Sequence, residues 1–255
     1  MILLVPFLCR AVAAEELRIA AAADLKFALD VLVTQYEKQT GKKIQVSYGS
    51  SGNFFAQIQN GAPFDIFMSA DIDYPRKLEA TGLADAGSLY KYAVGRIVIW
   101  TPADAPLDIA KLGWNALLQQ SVAKIAIANP EHAPYGRAAI AALRSAGIYD
   151  QVRTKLVYGE NIAQAAQFVA SGNAQAGILA LSLALSLPMR SGKRWEVPPN
   201  SYPPIEQAAI ILKTAKHKAE AQGFLTFLKS SAAAKILDSS GFSPPAISDR
   251  RARTQ

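Results

Sequence analysis

The sequence predicts a two-lobed α/β fold in which each lobe is a mixed, mostly parallel sheet flanked by helices, with two hinge crossings between them. Three observations predict it. Short apolar runs of strand length alternate with helical stretches along the 255 residues, the pattern of parallel strands with covering helices. A long apolar run at 92–100 (YAVGRIVIW) leaves the first such unit, and a second unit of the same kind follows. One more strand and two helices close the chain after a proline-rich stretch at 188–204, so the second lobe interrupts the first. The expected bounds are 15–94 plus 207–246 for lobe I and 95–206 for lobe II, with hinge crossings near 92–95 and 204–208.

In order, 17–22 (LRIAAA) reads as a short buried strand. Residues 26–39 form an amphipathic helix with Phe27, Leu29, Val31, Leu32 and Tyr36 on its apolar face, ended by Gly41. A strand at 44–47 leads to a short helix marked by Phe54, Phe55 and Ile58 and closed by Asn60 and Gly61. A strand at 65–69 and a helix at 71–80 follow the Ala62-Pro63 turn. Beyond the run at 92–100, helices are expected at 107–120, 137–146 and 161–171, and strands at 124–128, 156–158 and 176–179. The stretch 188–204 reads as a surface loop. A strand at 208–212 and helices at 216–228 and 231–237 end the ordered chain.

Composition narrows the function classes. With 51% hydrophobic and 18% charged residues, the chain has the make-up of a globular protein with a sizeable core. Past the N-terminus no run approaches the roughly 18 unbroken apolar residues of a membrane helix. Residues 1–8 are nearly all apolar, Ala11-Val12-Ala13-Ala14 are small, and Glu15-Glu16 follow. That order reads as a signal peptide at 1–14, which implies a periplasmic protein. Cys9 falls inside it, so the remaining chain has no thiol chemistry and no disulfide. The net charge of +7 includes Arg250, Arg251 and Arg253 in a tail, 247–255, expected to be disordered. No basic stripe is interleaved with aromatic residues, so no nucleic-acid partner is expected.

The chemistry is concentrated at turns. Three segments, 47–52 (SYGSSG), 129–136 (NPEHAPYG) and 160–162 (ENI), sit where a strand passes into a helix, and a fourth junction lies at Ala23 and Asp24. A helix start leaves backbone N–H groups unpaired and carries partial positive charge. Several such starts converging on one point make an anion socket without a metal or a fixed cation. Ligands of open α/β sheets bind beyond the carboxyl ends of strands, so two facing lobes would share one cleft, which a hinge closes.

Other chemistries are poorly served. Ser51 lacks the GxSxG spacing of a nucleophile turn, and only His132 and His217 are available as a base. Two distant histidines and no cysteine beyond Cys9 make no metal cluster, and Asp65, Asp71 and Asp73 read as capping and strand-edge residues. The glycines fit neither a P-loop nor a dinucleotide fingerprint. The chain is therefore not expected to be an enzyme.

Segments 20–25 (AAAADL), 47–71 (SYGSSGNFFAQIQNGAPFDIFMSAD), 129–136, 160–169 (ENIAQAAQFV), 171–177 (SGNAQAG) and 202–207 (YPPIEQ) resemble the type II solute-binding proteins, specifically the periplasmic molybdate-binding proteins of ABC importers. The resemblance spans nearly the whole chain in order. It implies a monomer that binds molybdate, and tungstate too, with no cofactor, and that serves an ABC permease and its ATPase. Its ligand contacts fall on Asp24, Ser51, Tyr135 and Ile162. Ser51 would supply its hydroxyl and amide, while Tyr135 and Ile162 would act mainly through backbone N–H. The runner-up is a receptor for another tetrahedral oxyanion such as sulfate, followed by a Ser-dependent hydrolase of two-lobed α/β form.

Two positions depart from the family pattern. The first strand–helix turn usually carries Ser or Asn and here carries Asp24; a tyrosine that some relatives place near the end of the 177–180 strand is replaced by Ala180. A bare carboxylate about 4 Å from a dianion, at an effective dielectric of about 20, is repelled by roughly 8 kcal/mol. That equals the whole of a micromolar affinity, about 8 kcal/mol. The favoured expectation is that Asp24 caps a helix by accepting the N–H of Lys26 or Phe27. The alternatives are a protonated Asp24 that donates, or a different ligand.

Overall fold

The structure is a computed structural model that describes residues 16–245; the expected signal peptide, 1–14, and tail, 247–255, lie outside them. Strand β1 (Leu17–Ala22) passes through a 3-10 turn, Ala23–Leu25, into α1 (Lys26–Thr40). Then come β2 (Ile44–Gly49), α2 (Ser51–Gln59), β3 (Ile66–Ser69), α3 (Asp73–Ala80) and β4 (Tyr90–Gly95). The next unit holds β5 (Ile97–Thr101), α4 (Ile109–Leu112), β6 (Ile125–Ala128), α5 (Pro134–Ser145), α6 (Tyr149–Val152) and β7 (Leu156–Gly159). It continues with α7 (Ile162–Ala170), β8 (Ala176–Ala180), α8 (Leu181–Ala184) and β9 (Lys193–Glu196). Last are β10 (Ile205–Ile211), α9 (Lys218–Leu228) and α10 (Ser231–Ser239).

The strands form two five-stranded sheets of matching plan, β2-β1-β3-β10-β4 and β7-β6-β8-β5-β9. In each, three strands run parallel, and the fourth, β10 or β5, is antiparallel to both its neighbours. Because the parallel strands point one way, the helices that follow them all start along one edge of each sheet.

Side-chain alternation explains the apolar composition of the strands. On β1, Leu17, Ile19 and Ala21 pack with Leu29, Leu32 and Phe224, while Ala20 faces the opposite way onto Phe54, Phe67 and Ile210. A sheet covered on both faces needs apolar residues at every position rather than every second one. The second sheet has the larger core, built on Ile97, Val98, Ile99, Ile125, Ile127 and Ile178, and this core reaches Ala22, Ala23 and Ala70 of the first unit.

Several expectations are corrected. The run at 92–100 is two strands, not one: Val94 pairs with Glu206 in the first sheet and Val98 with Leu179 in the second, with the break at Arg96. The helix expected at 107–120 is α4 followed by a 3-10 turn, Gly113–Leu118, because Gly113 takes φ +52° and cannot continue an α-helix. The loop expected at 188–204 contains β9, which pairs with β5. α5 starts three residues before its expected position, with Pro134 in its first turn, where a missing N–H costs nothing. Among the described residues, no helix is long and apolar enough to cross a membrane.

Candidate functional site

All four strand-to-helix junctions reach one small cavity, of about 10 Å³. Its wall is made by Ala22, Ala23 and Asp24 at the end of β1, Gly49, Ser50 and Ser51 at the end of β2, and Ala70 after β3. The second unit adds Ala133, Pro134 and Tyr135 at the start of α5, and Asn161 and Ile162 at the start of α7. Asp24, Ser51, Tyr135 and Ile162 are thus brought together. No lining side chain is cationic, so donors in this wall are amides and hydroxyls.

The capping pattern leaves the earliest amide of each helix available. Ser50 caps α2 by accepting the N–H of Asn53 at 3.4 Å. Asn161 caps α7, its Oδ1 accepting the N–H groups of Ala163 and Gln164, both at 3.0 Å. The preceding amides, of Ser51 and Ile162, have no acceptor within their own helices. In α5 Pro134 has no N–H, so Tyr135 carries the first amide. Ser51 is fully buried, and its Oγ accepts the N–H of Ala70 at 2.9 Å. With that lone pair used, its hydroxyl proton is directed elsewhere. His132, the nearer candidate base in the hydrolase reading, has its ring Nε2 against the Glu160 carbonyl at 3.1 Å. It forms no nucleophile–base pair with Ser51, whose Oγ is held by Ala70.

Asp24 corrects the favoured expectation. It does not cap α1: the 3-10 turn begins one residue before it, and no side chain caps that turn or α1. The carboxylate instead crosses to two buried donors. Oδ2 accepts from the Tyr135 phenol at 2.9 Å and from Gln207 Nε2 at 2.5 Å. Gln207 is itself oriented by Tyr92, whose phenol donates to Oε1 at 2.8 Å. Ser182 donates to the Asp24 carbonyl at 2.8 Å. Oδ1 is buried and, among the described residues, has no hydrogen-bond partner. Burial pushes the carboxyl up to about 6 although Gln207 and Tyr135 pull the other way. Burial, helped by the Asp24 charge, holds the Tyr92 and Tyr135 phenols well above the usual tyrosine range, so both remain neutral donors.

Ala180 ends β8 and does not line the cavity. The Tyr135 phenol does not replace the absent tyrosine there, since it donates to Asp24. Sequence reasoning missed Gln207 and Tyr92 as supports. The available signal was Gln207, which follows Glu206 and immediately precedes the apolar run at 208–211 of β10.

Contacts between the two units close over the cavity. The Gly52 N–H donates to the His132 carbonyl at 2.9 Å, and Asn53 Nδ2 donates to Glu160 Oε1 at 3.0 Å. Arg137 pairs with Asp71 at 2.5 Å. A Cβ on Gly52 would lie 2.6 Å from the His132 carbonyl oxygen, so only glycine allows this approach. A wider groove beside the cavity is lined by Asp71, Asp73, Arg76, Arg137 and Glu206 among others. Its walls mix both signs of charge and include two helix starts, Asp73 of α3 and Pro134 of α5. Asp65, Asp71 and Asp73 have structural partners: Asp65 accepts the amides of Arg18, Lys216 and His217, and Asp71 accepts the Asp73 amide. No group of acidic, histidine or cysteine residues suited to a metal ion occurs among the described residues.

Two mixed sheets facing each other across a small cavity walled by helix starts define a binding protein of two-lobed α/β form. Residues 17–243 match the profile of the bacterial extracellular solute-binding proteins, and the chain belongs to that family, whose members are receptors rather than enzymes. It is 41% identical over 236 residues to the molybdate-binding protein ModA of Azotobacter vinelandii, covering 92% of each chain. It is 38% identical over 230 residues to ModA of Rhodobacter capsulatus, covering 90% of this chain and 89% of that one. The solved structure of the Azotobacter vinelandii periplasmic molybdate-binding protein superposes with a TM-score of 0.85 at 36% identity, over 90% of this chain and all of that one.

Proposed function

We propose that this chain is a periplasmic receptor that captures molybdate, and tungstate as well, between its two lobes and delivers it to an ABC permease driven by a cytoplasmic ATPase. The observation that carries this reading is the convergence of the Ser51, Tyr135 and Ile162 helix starts, from both sheets, on one cavity without a cationic side chain. Backbone amides at helix starts suit a tetrahedral dianion, which offers acceptors in every direction and needs donors fixed in advance. The names of the relatives select molybdate within that class. Residues 1–14 serve as the export signal, and the protein acts as a monomer.

In this reading lobe I comprises 15–94 and 207–246, and lobe II comprises 95–206. They close about the β4–β5 link and the start of β10. Ser51 binds from lobe I with its hydroxyl and amide, and Tyr135 and Ile162 bind from lobe II with their amides. Asp24 completes the set. Sulfate has the same charge and shape, so selection rests on cavity size.

A thermal-shift panel of molybdate, tungstate, sulfate and phosphate tests the reading. A ligand at 100 times its Kd adds about 2.7 kcal/mol to stability, a shift of roughly 5–11 °C for a protein of this size. Molybdate and tungstate are expected to give it. A shift with sulfate alone would move the protein to the runner-up class, and no shift with any of them would remove the oxyanion reading.

A further inference from the structure

A carboxylate in the wall of an anion cavity needs an explanation, and its surroundings supply one. We propose that Asp24 is a proton-carrying ligand: Oδ1 holds a proton and donates it to the bound oxyanion, so that each dianion is captured together with one proton from solvent. The inference rests on the reading of the cavity as a dianion site. Apart from that proton uptake, no bond is made or broken.

Geometry assigns the proton to Oδ1. Oδ2 already accepts two hydrogen bonds, from Tyr135 and Gln207, which occupy the lone pairs a proton would need. Oδ1 has no partner among the described residues. As an ionised oxygen it would be buried and uncompensated; as a hydroxyl it gains the anion as its acceptor.

No neighbouring charge offers another solution. The titratable groups in contact are the neutral phenols of Tyr135 on α5 and, through Gln207, Tyr92 on β4. On α1, Lys26 is surface-exposed and paired with Asp30. Arg137 on α5 is paired with Asp71, and Lys91 on β4 with Glu206 on β10. α2, α7 and α8 carry no charged side chain. The anion therefore meets Asp24 without a cation to mediate, and only the protonated carboxyl converts repulsion into a hydrogen bond. Burial raises the carboxyl to about 6, and a dianion beside it raises it further.

The consequence is a linkage between pH and affinity. Above about pH 6 the free carboxyl is ionised, so apparent affinity falls about tenfold for each further pH unit while the bound form keeps its proton. Titration calorimetry of the wild-type protein with sodium molybdate, at pH 7.5 in HEPES and in Tris, reads proton uptake from the difference in observed heat. One proton taken up per molybdate, with Kd rising about tenfold per unit between pH 6.5 and 8.5, is the expected result. Asp24→Asn places an N–H donor where the proton would be, and is expected to abolish the uptake, flatten the pH profile and bind more tightly than wild type at pH 8.5. Molybdate binding with no buffer dependence would overturn the inference and leave the receptor reading standing, as would uptake that persists in Asp24→Asn. Failure of the wild-type protein to bind molybdate at any of these pH values would overturn the receptor reading, and this inference with it. The buffer comparison needs no variant, so it decides even if Asp24→Asn misfolds.

Discussion

Ser51 and Asp24 put the account at its most exposed, because each has a structural and a binding role that substitution separates. Ser51→Ala removes the hydroxyl that the proposed reading assigns to the anion and the oxygen that accepts the Ala70 N–H. A hydrogen bond to a charged group contributes about 1.5–3 kcal/mol, so affinity for molybdate is predicted to fall about 10- to 100-fold by calorimetry. The orphaned amide costs a further ~1–3 kcal/mol of stability, readable by urea unfolding without ligand. Asp24 has a raised folded value, about 6 against 3.8, so its protonated form favours the native state. That stabilisation is complete below about pH 4 and is lost as pH rises through about 6. The gap corresponds to about 3 kcal/mol. Ligand-free Asp24→Asn is therefore predicted to be more stable than wild type by about 3 kcal/mol at pH 8, with the difference shrinking toward zero at pH 4. A difference that does not change with pH would contradict the burial of an ionisable Asp24. The type of residue at 24 was readable in the sequence as an anomaly. Its partner was not, since Gln207 lies 183 residues away and no local pattern records that pairing.

At the scale of elements, the proposed binding groups belong to helix starts, and the caps of α2 and α7 hold two of those starts in place. Asn161→Ala removes the acceptor for two first-turn amides of α7. It should cost about 1 kcal/mol in unfolding free energy and weaken molybdate binding by loosening the Ile162 amide. A binding isotherm unchanged from wild type would show that α7 does not reach the ligand. These starts were legible in the sequence because capping and the onset of helical periodicity are local signals, confined to SYGSSG, NPEHAPYG and ENI. What was not legible depended on partners distant in sequence. The run at 92–100 is strand-forming throughout, and only the pairing of Val94 with Glu206 and of Val98 with Leu179 divides it between two sheets. β9 escaped notice because Lys193–Glu196 is short and polar and is made a strand by pairing with β5.

For the whole molecule, the proposed function requires the two lobes to meet around the anion, and Gly52 lies at a contact between the two units. Gly52→Ala inserts a methyl 2.6 Å from the His132 carbonyl oxygen, an obstacle to closure that does not disturb either sheet. The structure already makes this contact, so the variant should lose the Gly52–His132 hydrogen bond, at a cost of about 0.5–1.5 kcal/mol of stability, while molybdate affinity falls at least about tenfold. Small-angle scattering should show the variant less compact than wild type, both with and without molybdate. The Arg137–Asp71 pair contributes less to closure, because it is partly exposed and pairs of that kind contribute about 0–1 kcal/mol. The central claim is that the anion sits where helix starts from both sheets converge. Anomalous scattering at a molybdenum absorption edge, from crystals grown with molybdate, tests it most directly. The account predicts one strong peak between Ser51, Tyr135 and Ile162, within hydrogen-bonding reach of their amides and with Asp24 in the same shell. A peak in the charged groove beside Arg76 and Arg137, or none at the helix starts, would contradict it.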